Sequence, residues 1–465
     1  MAARPVSSLH SGFSTRRQFL SHAAVGGAAL LLPRTLRGQS AAPARDRLRL
    51  ALVGVGGRGG AALTALREEE FVAFCDVDEV RGRSEPLAHA TTGPILAQFP
   101  AARWFKDYRE MFAAMADRID AVVVATPDHM HFAIGMAAIS HRKHLYLEKP
   151  LCRCLTEVRA LQAAARKAGV ITQMGNQGRA GEGIRTAREW VEAGLLGDVH
   201  TVHAWTDRPR LPWFRPADFD PDATDTTTPV PPTLDWNLWL GVAPERPYRA
   251  ELTPELWRGY VDYGCGSLGD MGCHQVEAAF YAPDLGAPTS VEAATTKLYP
   301  KSFPASTAVT WKFPARPGRG AVELRWFDGG LLPPQPVPGF KFAPDGGSIF
   351  YGTEGMMVVS SHSGSARLLP DERMNALRPS LPPKTIPRVH GGSHQEWARA
   401  IRGGPACGSH FDYAAPLTEV VLLGVAAIRA QARLAWDAGA ARFSTRPVAD
   451  RSLGPGYPYR PGWQV

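Results

Sequence analysis

Acidic residues are missing from the first 44 positions, which hold Arg4, Arg16, Arg17, Arg34 and Arg37 and neither aspartate nor glutamate. Those five arginines supply most of the formal net charge of +8. The remainder of the chain is nearly balanced and offers no basic surface for nucleic acid. Cysteine is scarce. The six, at 75, 152, 154, 265, 273 and 407, are irregularly spaced and several sit inside apolar runs. That pattern argues for buried free thiols, and against a disulfide framework or a zinc site. No segment repeats another. The apolar stretch ending "GGAALLL" near the start is too short to span a bilayer.

That opening stretch has instead the layout of a targeting signal. "STRRQFL" puts Arg16 and Arg17 ahead of the apolar run, and "AAPA" supplies small residues for a peptidase. Paired arginines followed by Phe19 and Leu20 match the twin-arginine pattern, so residues 1–44 are expected to be a leader, with the mature chain beginning near Arg45 and exported, to the periplasm or beyond. Proteins on this route fold before they cross, often around a cofactor. No membrane association is expected of the mature form.

The 465 residues exceed one ordinary core, and two domains are expected beyond the leader. In 45–171, "RLRLALVGVGG", "FVAFCDVD", "DAVVVATPD" and "HLYLEKP" read as buried strands alternating with helical stretches, which predicts a doubly wound parallel sheet of Rossmann type. From 172 to 465 the texture changes. "DVHTVHAW", "STAVTWKF" and "AVELRWF" read as antiparallel strands with one exposed face, giving an α+β domain built on a large, mainly antiparallel open sheet. Residues 208–233 lack periodicity and read as a long proline-rich insertion. "PLTEVVLLGVAAIRAQARLAW" reads as one apolar helix packed on the core. Exposed faces of large open sheets commonly pair, so a homo-oligomer, dimer or tetramer, is expected.

Gly54, Gly56 and Gly59 spell G-x-G-x-x-G between a strand and a helix. The first permits the tight turn, the second lets backbone approach a pyrophosphate, and the third lets helix and strand pack closely. Gly57 and Arg58 lie in the same loop. Asp76 ends the next strand 22 residues after Gly54, where a carboxylate can accept from ribose hydroxyls and repel a 2′-phosphate. NAD is therefore favoured, while Arg58 keeps NADP open.

Further along, "SLGDMGCHQVEAAFY" reads as a helix that places Asp270 and His274 four residues apart on one face. A carboxylate there is expected to raise the imidazole pKa and to fix its orientation.

The succession "GVGGRG", "CDVD", "ATPDHMH", "YLEKPL", "GDMGCH" resembles the Gfo/Idh/MocA oxidoreductases over nearly the whole mature chain. Its most specific parts are the E-K-P after a strand and the D-x-x-x-H on a helix. The resemblance implies that Lys149 contacts the reacting hydroxyl, that Asp270 orients substrate, and that His274 is the general acid/base; which of Lys149 and His274 moves the proton stays open. It also implies that Thr126, Pro127 and His131 form the turn beneath the nicotinamide ribose, with Glu148 packed beside it. Asn176, just after the domain crossing, is a candidate for facing substrate. So, among the aromatics Trp205, Trp236, Trp239, Trp257 and Tyr263, are Trp257 and Tyr263, since an aromatic face suits the apolar face of a sugar ring; at least three of the five should be core. Glu277 stands where members of this family often carry aspartate. His129 and His131, without further partners, read as turn and cap residues, so no metal is expected.

The leading expectation is an NAD(P)-dependent oxidoreductase acting on a secondary alcohol of a sugar, polyol or glycoside, its dinucleotide tightly bound. A redox-neutral glycosidase working by oxidation and elimination is one alternative. A non-catalytic sugar-binding protein is another.

Overall fold

The computed structural model describes residues 46–84, 86–87, 90–91, 96–209 and 228–465. The leader assigned to residues 1–44, and 210–227 of the insertion, lie outside the described residues.

The strands are β1 (Arg49–Val53), β2 (Glu70–Cys75), the two-residue strands β3 (Pro86–Leu87) and β4 (Ala90–Thr91), then β5 (Arg103–Phe105), β6 (Ala121–Val124), β7 (His144–Leu147) and β8 (Thr172–Met174). Leaving aside the small β3–β4 hairpin, they form one parallel sheet in the order β5-β2-β1-β6-β7-β8, the doubly wound arrangement whose order reverses beside β1. The strands are short and apolar because both faces are covered: all four residues of β6 are buried. In β7 the pleat sends Leu145 and Leu147 into the main core. Tyr146 points to the other face, where its ring stacks on His394 of the helix Gly392–Ile401 at 4.2 Å between centroids. Ligands of such sheets sit at the carboxyl ends of the strands, and every catalytic motif of this half lies there.

The second sheet has nine strands. β9 (Val199–Trp205) is followed by β10 (Ser290–Thr295), β11 (Thr307–Phe313), β12 (Val322–Phe327), β13 (Gly347–Gly352), β14 (Met356–Ser360), β15 (Ala366–Leu369), β16 (Leu434–Asp437) and β17 (Arg442–Phe443). Their order is β15-β14-β13-β9-β12-β11-β10-β16-β17. The pairings are antiparallel except β9 with β12, which run parallel. The sheet is thus mainly antiparallel, as expected, and the one parallel pairing arises because β9 reaches β12 from a distant part of the chain, which alternation within a strand cannot reveal. One face carries Glu292, Lys312 and Arg325 to solvent, while Val309, Trp311, Leu324 and Trp326 face the core.

Helix Phe411–Ala430 packs against that core face. By length and composition it could cross a membrane, yet most of it is buried inside the protein. Gly424 leaves the notch occupied by the Trp311 ring, whose Nε1 donates to the Val420 carbonyl at 2.9 Å. The helix is shorter than its sequence suggests, because "LAW" at its predicted end forms β16 instead. All six cysteines are buried free thiols.

Candidate active site

The glycine loop turns directly at the carboxyl end of β1. Gly54 has φ +83°, and a Cβ there would come within 2.7 Å of the Ala125 carbonyl carbon in the turn after β6. Only glycine fits both the angle and the approach. A Cβ on Gly59 would collide with the Gly54 carbonyl oxygen, so this glycine lets the helix Gly59–Ala65 start against the strand it follows. Gly57, at φ +58°, completes the turn. Asp76, at the end of β2, accepts from the amides of Val55 and Gly56 at 2.8 and 3.1 Å through Oδ2, and from Asp78 N at 3.0 Å through Oδ1. A carboxylate has about four acceptor positions. Asp76 thus braces the glycine loop and still has capacity for a ribose hydroxyl.

A cavity of about 900 Å³ opens from this loop and is lined by Gly54, Gly56, Gly57, Arg58, Asp76, Thr126, Pro127, Glu148 and Lys149. Two polar atoms in its wall, Thr126 Oγ1 and Glu148 Oε2, are buried without a protein partner. A dinucleotide fits this wall: its hydroxyl and amide groups can meet those two atoms, and the glycines leave room for its phosphates. Arg58 donates from Nε to Glu148 Oε1 at 2.9 Å, bridging the loop to the end of β7. His131 does not line the cavity, contrary to its expected cofactor role. Its Nδ1 and Nε2 lie 2.8 and 2.9 Å from the carbonyl oxygens of Pro150 and Thr126, so it ties the two catalytic turns together from behind. His129 is held likewise, with Nε2 3.0 Å from the Trp239 carbonyl and its pKa lowered by burial to about 3.

Lys149 follows Glu148, and the Lys149–Pro150 bond is cis. Its Nζ donates to Asp270 Oδ1 at 2.8 Å and to the Asp270 carbonyl at 2.7 Å. Asp270 stands on the helix Gly266–Gln275, all ten residues of which are buried. Gly272 lets that helix approach Val421 of the long helix closely. Two arginines share the carboxylate: Arg258 Nε lies 3.2 Å from Oδ1 and Arg208 Nε 3.5 Å from Oδ2. Burial alone would raise the pKa of Asp270. The charges of Lys149, Arg258 and Arg208 outweigh burial and hold the carboxyl well below its usual range.

His274 behaves differently from expectation. Asp270 still pulls the imidazole upward, but it is outweighed. Burial, the adjacent His362 ring at 4.4 Å between centroids and the Lys149 charge push His274 well below its ordinary value, with Asp270 opposing only in part. His274 is a neutral imidazole with an unpartnered Nδ1, and it does not line the cavity. The single expected helix is also two, Gly266–Gln275 and Glu277–Tyr281.

Two substrate candidates move elsewhere. Asn176 is fully buried: its Nδ2 donates to Glu277 Oε1 and its Oδ1 accepts from Ser409 Oγ, both at 2.5 Å, so its amide serves an internal network. Burial raises the Glu277 carboxyl well above its usual value, with Arg179 opposing. Tyr263 packs edge-on against His129 and beside Trp239 and does not reach the cavity. Trp257 does line it, as does Trp239; Trp205 and Trp236 do not.

The NAD-binding Rossmann-fold domain of the Gfo/Idh/MocA oxidoreductases matches residues 48–176, and that family's C-terminal α/β domain matches 184–314, together more than half of the chain. The chain belongs to the Gfo/Idh/MocA oxidoreductase family. Among its relatives, levoglucosan dehydrogenase of Pseudarthrobacter phenanthrenivorans is 26% identical over 195 residues, 41% of each chain. An NAD(+)-dependent scyllo-inositol 2-dehydrogenase of Bacillus subtilis is 28% identical over 123 residues, 26% of this chain and 33% of that one. The matched region is thus under half the length of either curated relative. The fold is also that of the WlbA dehydrogenase of Bordetella pertussis, solved with NADH and UDP-GlcNAcA, at TM-score 0.56 and 16% identity over 84% of this chain and 99% of that one.

This Gfo/Idh/MocA oxidoreductase also brings to its site residues that its motifs do not announce. Arg208 and Arg258 arrive from connections without periodicity. Asp128 lines the cavity, its carboxyl pushed up by burial against the pull of His131 and Lys149. His362 adopts a left-handed backbone (φ 54°) after β14. For His362, a histidine set among small residues in "SSHSGS" was the one available signal.

Proposed function

We propose that this protein transfers hydride between bound NAD and a secondary alcohol carbon of a sugar, polyol or glycoside, keeping its dinucleotide through turnover. The observation that carries this reading is Lys149, fixed by Asp270 at the carboxyl end of β7 and open to the cavity beside the glycine loop. Bound NAD supplies the hydride acceptor and donor.

The chain's own residues do the rest. Two of the three Nζ donors of Lys149 are engaged by Asp270, leaving the third for the reacting oxygen. Asp270, held ionised by three cations, is a poor proton acceptor. His274, kept neutral by burial, does not line the cavity, so it takes the hydroxyl proton only by relay through the Lys149 amine, which gives its own proton to the imidazole as it receives the substrate's. Trp239 and Trp257 give the cavity apolar faces for a ring's C–H groups. Relatives named for levoglucosan and scyllo-inositol support a ring-shaped polyhydroxy substrate. The twin-arginine leader supports export with the cofactor already inside, and the open sheet supports a homo-oligomer.

The test presents the purified protein with free sugars and cyclic polyols, and separately with nitrophenyl glycosides, following NADH absorbance and aglycone release. Oxidation of a free polyol with stoichiometric NADH is expected. Aglycone release without NADH would replace this reading with a redox-neutral glycosidase, and the absence of dinucleotide both in the purified protein and after titration would remove both.

Asp76→Ala is expected to weaken NAD binding by about tenfold to a hundredfold, because the loop amides lose their acceptor along with the ribose hydroxyls, worth roughly 1–3 kcal/mol. NADP affinity should rise less than NAD affinity falls. Isothermal titration with both dinucleotides reads this directly, and unchanged NAD affinity would remove Asp76 from the site.

A further inference from the structure

The segment from Gly454 to Trp463 takes no part in the chemistry above, yet it is anchored along its length to both halves of the protein. On the parallel-sheet side, Arg153 donates to the Pro455 carbonyl at 2.5 Å, the Tyr459 hydroxyl donates to Glu157 Oε1 at 2.6 Å, and Arg109 donates to the Gly462 carbonyl at 2.9 Å. On the other side, the Tyr457 hydroxyl donates to the Asp262 carbonyl at 2.8 Å. Arg460 donates to the Gly241 carbonyl at 2.8 Å and to Asn237 Oδ1 at 2.7 Å.

These contacts deliver Trp463 to the cavity wall, where it is 6% exposed. Its ring lies 6.4 Å from that of Tyr108, and the Arg109 guanidinium sits 4.0 Å from its centroid. Lys106, Asp107 and Tyr108, which follow β5, line the same cavity, as does Asp76 at the end of the neighbouring strand β2. Asp76 marks the adenosine half of a dinucleotide site, so Trp463 borders that half and not the Lys149 end. The chain also closes over this end at Asp235, whose amide donates to the Val77 carbonyl at 2.9 Å.

We propose that residues 454–463 are a clasp over the adenosine end of the dinucleotide groove, with Trp463 as the aromatic wall for the adenine, so that the dinucleotide leaves only when the segment lifts. The proposal rests on the cofactor reading above and gives retention of the dinucleotide a physical cause. The Arg109 guanidinium, the tilted Tyr108 ring and the Arg460 guanidinium 5.6 Å from its centroid hold the indole in a fixed orientation at the groove. Arg460 lines no part of the cavity, so it acts by holding the segment, and the Trp463 ring beside it, in place.

The experiment uses the full chain with Trp463→Ala, Trp463→Phe and Arg460→Ala. Two quantities are read: dinucleotide per protein released on denaturation after gel filtration, and the rate at which bound NADH fluorescence decays on mixing with excess NAD. Trp463→Ala is expected to release NADH roughly tenfold faster or more, the size of one lost aromatic contact. Trp463→Phe should stay near wild type, and Arg460→Ala should accelerate release although it touches no ligand. Wild-type release rates in Arg460→Ala, or in Trp463→Ala with an unchanged circular dichroism spectrum, overturn the clasp; should Trp463→Ala not fold, Arg460→Ala decides alone. Wild-type protein that takes up no dinucleotide overturns the cofactor reading itself, which separates the two failures.

Discussion

Lys149→Ala is expected to lower kcat/KM for alcohol oxidation by about 10³-fold or more, while the purified variant keeps its full complement of dinucleotide. The size reflects the site. Lys149 is the donor that lines the cavity at the end of β7, and a preorganised charge-assisted donor acts where charge develops on the alkoxide. The dinucleotide should stay because the glycine loop, Asp76 and Thr126 are untouched. Loss in kcat and kcat/KM together would mark an interaction made in the transition state. His274→Ala reads the other half of the chemistry. The folded pKa of His274 lies below the ordinary value of about 6.5, so its neutral form persists as the pH falls through 6.5, and wild-type oxidation should show no inflection there. Lys149→Ala retaining more than a tenth of wild-type activity would remove Lys149 from the reacting oxygen.

The glycine loop, Asp76 and the Glu148–Lys149 strand end were legible in the sequence because each is a local demand. A positive φ at Gly54, a close approach at Gly59 and a carboxylate at the tip of a strand are settled within a few residues of chain. The surroundings of Asp270 were not legible in this way. Four-residue spacing correctly placed Asp270 and His274 on one helix, but it could not show that Arg208, Arg258 and Lys149 converge on the carboxylate from three separate segments. Nor could it show that burial, with His362 and Lys149 alongside, would outweigh the pull of Asp270 on His274. Asn176 failed for a related reason: a polar residue at a domain crossing faces either substrate or an internal partner, and Glu277 and Ser409, the partners that took it inward, are about a hundred or more residues away. Trp463 illustrates the converse, since an aromatic residue in an aperiodic segment carries no signal until its anchors are known.

Asp270→Ala should be the most destabilising single change in the site, by about 3–5 kcal/mol, because it removes the anion around which Lys149, Arg258 and Arg208 gather, Arg208 keeping Asp207 as a second partner. In thermal unfolding that is a fall on the order of 10 °C for a protein of this size. Asp270→Asn keeps the shape and one acceptor, so it should lose less stability while still losing most activity, because Lys149 is no longer held by charge. The pairwise share of Lys149 comes from the double variant: removing Lys149 from Asp270→Ala should restore part of the lost stability, by relieving one of three mutually repelling cations. The sign in pH is fixed too. A carboxyl whose folded pKa lies below its unfolded value of about 3.9 contributes stability that is fully present above 3.9 and is lost only as the pH drops through the lower, folded value. The gap between wild type and Asp270→Asn should therefore stay constant from pH 8 to pH 5 and close only in stronger acid. A gap that narrows between pH 7 and pH 5 would show that the three cations do not hold this carboxylate as the geometry requires.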